Sequence, residues 1–148
     1  MTPSVDRFLQ VAIVHLMTRT SQALGPGFEQ SNTLVLSGML TAVQQEFERG
    51  AARRVEENGA LRALFAGAAP VVTEGALQER LSIAAGQSEG SLAISALEKE
   101  NAELRALLIE LHEHVEGLQS PEARDIEADV WKELVASTER RRLAIGRF

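Results

Sequence analysis

Residues 97–118, LEKENAELRALLIELHEHVEGL, set Leu97, Leu104, Leu111 and Leu118 seven residues apart, and this repeat constrains the fold more than any other stretch. Because 3.6 residues make a helical turn, a seven-residue apolar repeat keeps its side chains along one helix face. With the leucines at d, the a positions are Asn101, Leu108 and Val115. An Asn at a sets register in parallel dimeric coiled coils, and Glu100 at g faces Arg105 at e in the attractive sense. Those features describe a dimerising zipper. Leu107 at g and Ile109 at b argue against one, since they spread apolar surface beyond the seam a single partner helix covers. A broad stripe wants several neighbours, so the segment reads as an inner helix of a bundle, with a dimer seam as a second use of the face. A DNA-binding zipper also needs a basic helix directly upstream, where this chain has GQSEGSLAISA.

The remaining segments are helical too. Val5, Phe8, Leu9, Ala12, Ile13, Leu16, Met17 and Leu24 recur at three- and four-residue steps, predicting a first helix with Thr2 as N-cap and Pro3 at its first position. Gly25-Pro26-Gly27 stops it, with Gly25 supplying a left-handed C-terminal residue. A second helix is expected from Ser31 or Asn32 to Arg49, with Leu36, Met39, Leu40, Val43 and Phe47 inward and Gly50 marking its end or at least a weak point. Residues 51–66 give a third, which Asn58-Gly59 can split. Flexible breaks are expected at 66–75 and 86–91, around a short helix that Thr73 would cap. Ser120-Pro121-Glu122 restarts a final helix carrying Ile126, Val130, Trp131, Leu134 and Val135. Arg140, Arg141, Arg142 and Arg147 gather at its C-terminal end, where cations complement the helix dipole. Alternation of period two is nowhere sustained. The expected fold is all-α: a single-domain bundle of four to five mostly antiparallel helices spanning residues 1–148.

Composition narrows the function classes. At 148 residues one core can bury roughly two-thirds of the unfolded surface. With no Cys there is no disulfide, thiolate nucleophile or cysteine-type zinc site. Charges interrupt the N-terminal apolar run at Asp6, Arg7 and Arg19, so neither a secretory core nor a membrane span is expected, and the chain reads as cytoplasmic. The net charge is −6, and residues 98–133 hold eleven acids against four bases, which repels a nucleic-acid backbone. No Ser sits in a Gly-x-Ser-x-Gly setting and no Gly-rich loop is followed by Lys-Ser/Thr.

One cluster has ligand potential: Glu110, His112, Glu113, His114 and Glu116. Glu110 and His114, four apart, share a helix face, so the candidate metal ligands are Glu110, His112 and His114. A di-iron bundle wants a Glu-x-x-His pair on each of two helices, and no second half-site is present. The competing reading of the cluster is a solvated acidic face. The terminal ERRRLAIGRF is read as a helix-end cap rather than an anion site.

Three stretches carry a resemblance. VLSGMLTAVQQEFERGAARRVEENGALRALFAG, LEKENAELRALLIEL and ADVWKELVASTERRRLAIGRF are similar to blocks of a small all-helical domain family of unknown function. That family is associated with aminoglycoside-phosphotransferase-like and acyl-CoA-dehydrogenase-like proteins. The similarity covers residues 8–66 and 97–148; segment 67–96 has no counterpart, and an expected Asn-Pro before Arg147 is missing. The resemblance implies an accessory module with a phosphotransferase-like or acyl-CoA-dehydrogenase-like partner, and it brings no catalytic residues. Together with the lack of a convergent polar motif, this predicts a non-catalytic interaction protein, homodimeric and without cofactor. The alternative is a ligand- or metal-binding bundle enzyme using the Glu110/His112/His114 face.

Overall fold

The structure, a computed structural model, describes residues 4–143. The expected Thr2 cap, Pro3 and Arg147 lie outside the described residues. All regular structure among the described residues is helical: α1 (Val5–His15), a π-helical turn (Leu16–Thr20), α2 (Ser21–Leu24), α3 (Phe28–Ala68), α4 (Gly75–Ala85), α5 (Ile94–Glu116) and α6 (Pro121–Arg140). The chain divides into two compact units, one of residues up to Gly50 and one of Ala51–Arg142.

The second unit is an up-down-up-down bundle of the C-terminal part of α3 with α4, α5 and α6. Arg54 pairs with Glu98 and Asn58 with Asn101, so α3 and α5 run in the same direction. Arg105 donates to Ser137 while His112 meets Trp131, so α6 runs back along α5. Arg80 of α4 reaches Glu110, whereas Gln87 just beyond α4 shares a groove with Glu100 and Glu103, which sets α4 antiparallel to α5. The core joins Leu61, Phe65, Leu81, Leu104, Leu108, Leu111, Val115 and Val130. Every described a and d position of the heptad from Leu97 to Val115 is buried, as is Leu107, while Ile109 is exposed. The heptad therefore closes an intramolecular core. Ser120 caps α6 by accepting the Ala123 N–H at 3.1 Å, with Pro121 at the first position.

Two breaks read from the sequence are absent. Helix α3 runs through Gly50 and through Asn58-Gly59. Asn usually breaks helices because its amide competes for nearby backbone groups. Here the Asn58 amide is occupied across the core, donating to the Leu97 carbonyl and accepting from Asn101. Thr73 does not cap α4 either. Glu74 precedes the helix without a side-chain cap, and Thr73 turns to His114 instead.

In the first unit α1, the π turn and α2 run antiparallel to the start of α3 across Gly25, whose φ of +67° is the expected left-handed stop. Gln44 donates to Asp6 at 2.5 Å near one end, and Gln30 to the Ser21 carbonyl at 3.2 Å near the other. The inward seam is unusual in composition. Ser21, Thr33, Ser37 and Gly38 are buried with Ile13. The hydroxyls of Thr33 and Ser37 satisfy themselves on the carbonyls of Glu29 and Thr33 one turn back.

Candidate functional site

Two features of the molecule stand out, one in each unit. The first is the outer face of the N-terminal helices. Leu36, Met39, Val43 and Phe47, expected inward, are 54–61% exposed. With half-buried Leu40 they follow the 3–4 spacing that makes one continuous apolar ridge. Val5, Phe8, Val11, Val14 and Met17 are exposed on α1 and the π turn, while Leu9, Ile13 and Leu16 of the same segment face inward. That segment therefore carries apolar side chains on more than one side, between the polar residues Asp6, Arg7, Gln10, His15 and Arg19. Its own unit covers only one of those sides.

The second feature is the α5–α6 face of the bundle. The three candidate metal ligands are not brought together there. Glu110 accepts both guanidinium nitrogens of Arg80, at 2.6 and 2.7 Å, and that fork holds its carboxyl below the usual range. His114 Nε2 accepts the Thr73 N–H at 3.3 Å, so a neutral ring carries its proton on Nδ1, 3.9 Å from Glu74. His112 instead belongs with Glu116, one turn on, and with Glu127 of α6. One ligand atom from each of these three lies within 4.8 Å of the other two. The His112 ring meets Trp131 edge-on, with centroids 5.5 Å apart and planes at 88°.

The His112–Glu116 pair was legible as an i, i+4 spacing on a helix. Glu127 was not, because its place depends on the four-residue turn at 117–120 that folds α6 back along α5.

Between α3, α5 and the end of α6 lies a buried polar network. Glu57 and Asn101 are 1% and 2% exposed. Arg141 donates to both Glu57 carboxylate oxygens, at 2.8 and 2.7 Å, and to the Asn101 Oδ1 at 3.0 Å. Asn101 Nδ2 donates to Asn58 at 2.9 Å and to Glu57 at 3.3 Å. Burial by itself would raise the Glu57 pKa, but the Arg141 fork, with the charges of Arg105 and Arg140, outweighs it and holds the carboxyl below its ordinary value. Glu57 is thus held as an ionised structural partner of Arg141, and its lowered pKa makes it a weak base. Two of the other terminal arginines are engaged as well, Arg140 with Glu133 and Arg142 with Glu139.

Comparisons with protein-family models, with curated proteins and with solved structures find no match to this chain.

Proposed function

We propose that the protein is a non-catalytic interaction protein that works as a homodimer, joined through α1 and the N-terminal part of α3. The exposed ridge Leu36–Met39–Val43–Phe47 carries this reading. A pair of helices alone cannot enclose a core, since too little of its apolar surface is removed from water. Two such pairs, related by a two-fold axis, make a four-helix bundle in which each apolar face is covered by its own copy. A stable interface buries about 800 Å² on each partner, and Leu36, Met39, Val43 and Phe47 with the exposed Val5, Phe8, Val11 and Val14 supply large apolar side chains for one. Other polar groups that would make an enzyme are consumed in ion pairs within the bundle, Glu57 by Arg141 and Glu110 by Arg80.

Sedimentation of the full chain tests this directly. The expected species has twice the 16.1 kDa chain mass, and the double variant Leu36→Glu/Val43→Glu runs as a monomer that keeps its helical circular dichroism. A wild-type chain that stays monomeric up to tens of micromolar, a range in which interfaces of this size associate, sinks the proposal. The family resemblance adds a phosphotransferase-like or acyl-CoA-dehydrogenase-like partner. Recovery of such a protein with the dimer from the native host supports that addition, and recovery of neither removes it.

A further inference from the structure

We propose that His112, Glu116 and Glu127 form a binding site for a divalent transition-metal ion of the zinc class. The first observation is an atom without a partner. His112 Nε2 is screened from solvent and makes no hydrogen bond. Buried ring nitrogens are almost always satisfied, so an orphan of this kind marks something that the side chains alone do not supply. Glu116 Oε1 stands 3.6 Å from it. That separation is too long for a hydrogen bond. It matches the edge of a tetrahedral coordination shell, which for metal bonds of 2.0–2.1 Å is about 3.4 Å.

The second observation is convergence from two elements. His112 and Glu116 stand on consecutive turns of α5, and Glu127 comes from α6, all three ligand atoms lying within 4.8 Å of one another. The pairs His112/Trp131 and Glu116/Glu127 lie at successive levels of the same antiparallel helix pair, so the register that seats the rings also seats the carboxylates. Two carboxylates thus stand beside one imidazole nitrogen with no Lys or Arg side chain among the three. A dication placed among them can take a bond from each. One imidazole with two carboxylates, leaving further positions to water, suits zinc, cobalt or nickel better than calcium, which takes oxygen ligands only.

Trp131 is the one Trp of the chain and touches a ligand ring, so it reports on the site. The experiment is a titration of the untagged full chain with cobalt(II) or nickel(II), read as quenching of Trp131 emission, and with zinc, read by calorimetry. Saturable quenching at one ion per chain is expected. His112→Gln and Glu127→Gln should each weaken binding by at least about tenfold, the loss seen even for groups that only support a metal ligand. His114→Ala and Glu110→Gln should leave it unchanged. His112 and Glu127 are only partly buried, and circular dichroism of each variant establishes that the bundle is intact. No saturable quenching by the wild type, or binding unaltered in folded His112→Gln and Glu127→Gln, overturns the proposal. Binding lost in His114→Ala but kept in His112→Gln overturns it as well.

Discussion

Asn101 sits at an a position of the heptad, where an apolar side chain would pack without needing any partner. Its place in a network with Glu57, Asn58 and Arg141 explains why a polar residue is there. Glu57 is a buried carboxylate, and every donor around it matters because an unpaired ion in the interior costs several kcal/mol. In a two-stranded coiled coil, exchanging such an Asn for Leu raises stability at the expense of register. The reverse is expected here. Asn101→Leu and Glu57→Gln should each destabilise the second unit by about 1–3 kcal/mol in chemical denaturation, the cost of stranding a buried polar partner. Glu57 also contributes to the acid limb. Its folded pKa lies below the ordinary 4.5, so the unfolded chain takes up the proton first. The stabilisation is full above the ordinary value and is lost as pH falls through the lower, folded one. Glu89 and Glu110 shift in the same direction, so the difference between wild type and Glu57→Gln isolates this carboxyl. A Glu57→Gln profile parallel to wild type down to acid unfolding would contradict the assignment.

At the level of the helices, α3 is the element that sequence rules describe least well. Gly50 and Asn58-Gly59 are strong punctuation in an isolated peptide, yet the helix passes through both. Helical stability in proteins comes mostly from packing of a face, and the Asn58 face is held by Leu97 and Asn101. Gly59 is then a residual weakness and no longer a signal. A Cβ built there meets nothing within 4 Å, and the position is helical and exposed. Gly59→Ala should therefore raise stability by about 0.5–1 kcal/mol, seen as a higher denaturation midpoint with unchanged slope. A fall in the midpoint would mean that α3 needs the glycine. The π turn at Leu16–Thr20 was equally invisible, since one extra residue per turn leaves no compositional trace.

For the whole molecule, two kinds of helical surface coexist. The second unit closes a continuous apolar core and pairs its buried Glu57 with Arg141, while Ile109, Trp131 and Val135 stay exposed as scattered side chains. The first unit seats small hydroxyl residues inside and leaves its large apolar side chains outside. Covering that face with a second copy would add apolar burial to the unit. A homodimer consequently predicts a melting temperature for this unit that rises with protein concentration, because association shifts the folding equilibrium by mass action. Scanning calorimetry at several concentrations checks this, and a concentration-independent melt would count against the dimer. No described helix is long and apolar enough to cross a membrane.

Helix content, the N-cap at Ser120, the stop at Gly25 and the bundle role of the leucine heptad were all set by the sequence alone, because each depends on local backbone geometry or on helical periodicity. Periodicity also found the ridge Leu36–Phe47, but it could not say which way the ridge faces. Burial is decided by the neighbours a helix acquires, and in the first unit the hydroxyl seam took the inner side. Tertiary structure likewise decided which groups lie together: Glu110 is forked by Arg80 and His114 turns to Thr73, while His112 stands near Glu116 and Glu127. A spacing of four places two side chains on one helix, but only the turn between α5 and α6 brings a third from the next.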